Sequence, residues 1–152
     1  MEERIAHKLI LKNHGEQVII QRIATTKQAM DDAQAAANQE GKSSAGDKYE
    51  TARAMSHLEK DMHARQLLAH QEDLQALRSI NVQTICTAPV AGAFVRSTSL
   101  RFFIGAGLGR QIINGETVIF LSPASPLALQ LMKKKVGDEF DFRGKERIME
   151  IY

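Results

Sequence analysis

The feature that most constrains this chain is a change of hydrophobic period near residue 80. Up to that point there is no proline and only Gly15, Gly41 and Gly46 among the glycines; all three prolines and the other seven glycines follow it. Alanine, glutamine and histidine concentrate before the boundary, phenylalanine and valine after it. A composition step of this kind marks a domain boundary. Charge divides with it. Residues 1–81 carry 11 basic and 12 acidic side chains, net −1, and residues 82–152 carry 9 and 6, net +3.

Before the boundary the apolar residues recur at helical spacing. Ile19, Ile23, Thr26, Met30, Ala33 and Ala37 follow steps of four and three, which is a heptad seam. Ile5 and Leu9 extend an apolar stripe toward the N-terminus, and Gly15 weakens the helix there by about 1 kcal/mol relative to alanine. A second helix is expected from about Asp47 to about Ser79. Its stripe would be Tyr49, Ala52, Met55, Leu58 and Met62, then a shifted set of Leu67, Leu74 and Leu77. The stretch EGKSSAGD, residues 40–47, has the composition of a turn. Two antiparallel helices on a short turn make a helical hairpin. One hairpin buries one seam, so much of its surface must face water or a partner.

After the boundary the period is that of strands. VQTICTAP, AGAFVRS, LRFFIG and ETVIFLS are short, β-branched or aromatic, and separated by turn residues. Asn114-Gly115 is a strong hairpin signal. Ser125 suits a helix N-cap and Pro126 the first helical position, with Lys133, Lys134 and Lys135 at the C-terminal end and Gly137 as the stop. DEFDF and RIMEIY then close as a hairpin around Arg143-Gly144-Lys145. The expected fold is α+β: a coiled-coil hairpin over residues 1–80 with an acidic tip near 41–50, then a small domain over 81–152. That domain would have five or six strands and one helix.

Several function classes drop out. No stretch approaches the ~18 apolar residues of a membrane span, and the opening MEERIAHKLI has no apolar core of a secretory signal. A cytoplasmic location is therefore expected. The single cysteine, Cys86, excludes a disulfide framework and a structural zinc site. Aromatic residues are 5% with no tryptophan, which argues against a base-stacking platform, and a net charge of +2 is too small for duplex binding by charge alone.

Few residues could carry chemistry. Asp47 and Glu50 stand three apart at the start of the second helix, where two carboxylates can share a hard cation such as Mg2+. The same Asp-x-x-Glu spacing is a capping box, and a cap could equally hold Asp47 in place. Gly105-Ala106-Gly107-Leu108-Gly109 fails the dinucleotide fingerprint, since Arg110 stands where a third glycine is needed, and reads as turns between strands. His7, His14, His57, His63 and His70 form no i,i+4 pair and read as solvated helix positions. Cys86 reads as a core thiol in an apolar strand with no basic neighbour in sequence. Lys133, Lys134 and Lys135 could form an anion-binding patch, and the charge preference of a helix C-terminus explains them equally well. Arg96 and Arg101 flank a turn and read as ordinary surface charge.

Two stretches then resemble one family. SPASPLALQLMKKKVGDEFDF, residues 122–142, is similar to the C-terminal signature of the GreA/GreB transcript cleavage factors. GDKYETARAM, residues 46–55, is similar to their hairpin tip, with Asp47 and Glu50 on the two acidic positions and Ala52 also matching. Thr51, Arg53 and Ala54 stand where the family has Asn, Glu and Tyr. The resemblance implies a C-terminal domain of FKBP-like fold that docks on RNA polymerase at the rim of its secondary channel. It implies a hairpin that reaches the active centre, where Asp47 and Glu50 act as the catalytic pair by helping hold a Mg2+ shared with the polymerase. The polymerase's own site would then cut a backtracked transcript, with contact to the RNA 3′ end only indirect and no intrinsic nuclease activity. Ser125 and Pro126 are the expected partner-binding residues, and a monomer without membrane contact is expected. One alternative is a Gre-like regulator that occupies the channel without stimulating cleavage. The other is a coiled-coil interaction module whose Ile19 to Ala37 seam pairs between copies. No aromatic-lined pocket suggests a prolyl isomerase.

Overall fold

A computed structural model describes residues 1–43 and 46–152, with side chains described outside residues 40–49. Two long helices, α1 (Glu2–Ser43) and α2 (Gly46–Ser79), precede six strands: β1 (Phe94–Ser97), β2 (Arg101–Ile104), β3 (Gly109–Ile113), β4 (Glu116–Leu121), β5 (Glu139–Asp141) and β6 (Lys145–Ile151). A short helix, α3 (Pro126–Leu131), lies between β4 and β5. The class is α+β, as the two periods require. α1 runs on through Ser43, so the expected turn over 40–47 is helical at both of its described ends; residues 44 and 45 lie outside the described residues.

The chain forms two compact units, Ile19–Glu72 and the pair of segments Met1–Val18 and Asp73–Tyr152. In the first unit the α1 seam is as expected: Ile19 and Thr26 are buried and Ile23, Met30, Ala33 and Ala37 half-buried. A cavity of about 180 Å³ is lined by Ala33 and Ala37 of α1 and by Ser56 and Lys60 of α2, so the two helices lie side by side there. The α2 side of the seam departs from expectation. Met55, Leu58 and Met62 are 56%, 64% and 48% exposed. The half-buried positions are Ala52, Ser56, His63, Leu67 and His70. Those residues continue the Leu77, Leu74, Leu67 spacing backward in steps of three, four and seven. Helix geometry sets which face turns inward, and it carries that register past the apolar residues one position away. His63 and His70 are therefore half-buried on the seam face rather than fully solvated. Tyr49, also expected on the stripe, lies among residues whose side chains are not described.

In the second unit the sheet order is β3-β4-β2-β1-β6-β5, with β2 and β4 parallel and all other neighbours antiparallel. Both faces are covered. Val95, Phe102, Ile104 and Ile119 pack with Ala128 and Leu131 of α3 and with Phe140 and Ile148. The alternate residues Phe94, Phe103 and Phe120 face the base of the helical pair. There His7 meets Phe94 edge-on at 4.7 Å, and Gly15 approaches Phe120 and Leu77. Two covered faces explain why these strands read as continuous apolar runs.

The base of α1 buries Lys8, Leu11 and Gly15 while Leu9 is exposed, so the expected Ile5–Leu9 stripe is displaced by the true contact line. VQTICTAP forms no strand; residues 81–92 are turns and bends that carry the chain from α2 to β1. Asn114 (φ 52°) and Gly115 (φ 80°) make the β3–β4 turn as expected, both in the left-handed region that this two-residue turn requires. Residues 105–108 connect β2 to β3, confirming the turn reading of the glycine run.

Candidate functional site

The tip carboxylates and the α3 surface are the two places where sequence put function. The backbone of α2 is helical from Gly46, so positions 47 and 50 stand in its first turns, and Glu50 is exposed to solvent. Because the helix already includes Gly46, Asp47 lies inside the first turn rather than at the cap position. The side chain of Asp47 lies outside the described residues. Glu50 fits what a Mg2+ ion takes from a protein, one or two exposed carboxylates with water completing the shell. Among the described residues no group of three or more His, Cys, Asp and Glu gathers around a common point.

At α3 the expected cap is present. Ser125 has an extended backbone (φ −66°, ψ 151°), and its Oγ accepts from the Ala128 amide at 3.2 Å. Its oxygen thus caps the helix, and the hydroxyl keeps its own O–H donor. Pro126 is exposed at the first helical position, and Leu129, one turn on, is 50% exposed. Ala128 and Leu131 point the other way, into the core. The short helix therefore offers an apolar ridge of Pro126 and Leu129. It ends at Leu131 with Met132 as its C-cap, so the three lysines do not form its last turn as expected. They line the following turn, where the Lys135 amide donates to Asp138 Oδ2 at 2.9 Å. Exposed Lys133 and Lys135 leave positive charge beside the ridge.

The arginines flanking the β1–β2 turn are ion-paired. Arg96 and Arg4 both reach Glu150, at 3.2 and 2.8 Å, and Arg101 lies 3.6 Å from Glu116. Glu146 holds the β1–β2 turn: its Oε1 accepts from both the Ser97 and Ser99 hydroxyls at 2.8 Å and from the Ser99 amide at 3.0 Å. Those hydroxyls, Ser99 first, hold its carboxyl below the usual range.

Sequence reasoning missed the polar groups under the helix base. Lys8 is 0% exposed; its Nζ donates to the Thr84 carbonyl at 2.8 Å and lies 3.7 Å from Cys86 Sγ. Lys12 donates to the Arg78 and Ile80 carbonyls at 3.1 and 2.8 Å, satisfying acceptors that the end of α2 leaves open. His7 Nδ1 lies 2.6 Å from the Tyr152 hydroxyl, with the ring of Tyr152 stacked near Phe94. Burial pushes the His7 imidazole down and the Tyr152 phenol up to about 12. His14 reaches Gln111 at 3.1 Å. Both histidines are half-buried, not solvated. Cys86 lies in a loop rather than a strand, and its basic neighbour stands 78 positions away. No local pattern in a sequence reports a partner at that separation.

No family model matches the chain, and no curated protein matches it. A solved structure described as "Structure of the transcription factor Gfh1" aligns over 91% of this chain and 93% of its own, at 15% identity and a TM-score of 0.37. A likeness at that level assigns no activity.

Proposed function

We propose that this chain is a transcription elongation factor that binds RNA polymerase at the secondary channel and stimulates cleavage of backtracked RNA. The single observation that carries the reading is how residues 122–142, the stretch that resembles the GreA/GreB signature, are built. They form a Ser125-capped helix that turns Pro126 and Leu129 outward, then a turn into β5. A rigid apolar ridge with lysines beside it suits docking on an acidic, partly apolar protein surface. Supporting it, a helical hairpin precedes the sheet and leaves Glu50 exposed at the start of α2. In this reading Asp47 and Glu50 help hold a Mg2+ shared with the polymerase, which would supply charge stabilisation to the phosphodiester undergoing hydrolysis. The chain acts on the polymerase's own cutting site and is not itself a nuclease. It works in the cytoplasm as a monomer.

The test uses a backtracked complex of the cognate polymerase. Wild type shortens the transcript from its 3′ end, and Asp47→Ala/Glu50→Ala does not while still binding. Leu129→Glu loses binding and cleavage together. Binding without cleavage by the wild type supports instead the channel regulator, a reading favoured by Thr51, Arg53 and Ala54 standing where the cleavage factors differ. No binding by the wild type overturns the proposal.

A further inference from the structure

Lys8 and Cys86 form a pair for which the proposed function has no use. A lysine with no exposed surface is rare, because burying an ammonium is costly. Here the amine is held by one backbone carbonyl, Thr84 O at 2.8 Å, and is directed at a sulfur 3.7 Å away. Desolvation lowers the pKa of the amine below the ordinary lysine value, which enlarges the neutral, nucleophilic fraction. Cys86 is half-buried at the edge of the core cluster and lies in the irregular segment between α2 and β1, so part of the residue faces solvent. No second cysteine exists in the chain to form an internal disulfide.

We infer that Lys8 and Cys86 are an oxidation site at which peroxide forges a covalent sulfur–nitrogen link between α1 and the 81–92 segment. In the first step Cys86 gives up its proton and the thiolate attacks hydrogen peroxide, the released hydroxide taking up that proton. The O–O bond breaks, the sulfur loses two electrons to the oxidant, and sulfenic acid and one water result. In the second step the Lys8 nitrogen lone pair attacks that sulfur. The S–O bond breaks, and the departing hydroxide takes a proton from nitrogen to leave as water. The sum is thiol plus amine plus hydrogen peroxide giving a sulfenamide and two waters. The lysine's flexible stem supplies the movement that closes the 3.7 Å gap. A thiol reductant reverses the link: two equivalents return the free thiol and amine and leave as a disulfide.

The experiment treats the purified full-length chain with hydrogen peroxide and reads its mass without reductant. The expected product is about 2 Da lighter than the untreated chain, as loss of two hydrogens requires. Its Lys8 and Cys86 peptides are joined, trypsin no longer cuts after Lys8, and dithiothreitol restores the original map. Two controls should show no link: the chain oxidised in guanidinium chloride, where the pair is apart, and Cys86→Ser. The first needs no variant to fold. Conversion of Cys86 to sulfinic or sulfonic acid in the native chain, with Lys8 still cut by trypsin, overturns the inference. So does a disulfide between two chains, or an unreacted thiol.

Discussion

A glycine in the middle of a helix normally costs stability, so Gly15→Ala is a substitution that helix propensity alone scores as a gain of about 1 kcal/mol. The packing at Gly15 reverses the sign. A Cβ built there would stand 2.9 Å from Leu77 Cδ2, 3.0 Å from Phe120 Cε2 and 3.5 Å from Leu108 Cδ1. Carbon atoms rest about 3.5–4.0 Å apart, so the first two contacts overlap by half an ångström or more. Leu77 and Phe120 are 0% and 1% exposed and sit in a close-packed interior with little room to retreat. Adding a methyl to such a place costs about 1–3 kcal/mol. The net expectation is a loss of about 1 kcal/mol, which lowers Tm by about 2–4 °C for a chain of this size. Urea unfolding followed by circular dichroism measures it, with an unchanged m-value showing that the unfolding reaction is the same. The double mutant Gly15→Ala/Leu77→Ala supplies the control. Leu77→Ala alone costs about 2–5 kcal/mol, and in its background the added methyl should fill space and restore stability. If Gly15→Ala stabilises the wild type by the full propensity gain, α1 does not approach the sheet as described and the reasoning fails.

Three further expectations follow from the same structure. His7 has a folded pKa below its ordinary 6.5, so the unfolded chain binds the extra proton: stability is full above pH 6.5 and falls as pH drops through that value toward the folded pKa. Its partner Tyr152 is raised from 10.0 to about 12, so stability is full below pH 10 and about 2–3 kcal/mol is lost between pH 10 and 12. His7→Gln should flatten the acid limb of a Tm-against-pH profile and leave the alkaline one; an unaltered acid limb counts against the burial argument. On the hairpin, Met55→Gln and Leu58→Gln should each change stability by less than about 0.5 kcal/mol, whereas Ile19→Ala costs about 2–5 kcal/mol. A large loss at Leu58 would mean that the seam runs through the apolar residues after all. Glu146→Gln should cost about 1 kcal/mol at neutral pH through its weakened bonds to Ser97 and Ser99, a difference that disappears in acid as the wild-type carboxyl protonates. Equal stability of the two proteins at pH 7 would remove that role.

What the sequence determined by itself is what short-range physics controls. The heptad of Ile19 to Ala37, the Asn114-Gly115 turn, the Ser125 cap with Pro126 behind it, and the paired runs around Arg143-Gly144 are each local in chain and strong in energy. All appear in the structure as read. The errors fall where a local preference met a longer-range demand. On α2 a rigid helix carries one register from Leu77 to Ala52, so Met55, Leu58 and Met62 turn outward although they are the apolar residues. VQTICTAP has strand composition but pairs with none of the six strands. The lysine run has the charge of a helix end, whereas α3 stops where Leu131 enters the core. Only the tertiary structure decided the rest. It brought Lys8 to Cys86, Lys12 to the end of α2, His7 to Tyr152 and Gly15 against Phe120. These pairs lie tens of residues or more apart. Burial strips water from such groups and makes each partner's exact position matter, and a one-dimensional pattern holds no record of that distance.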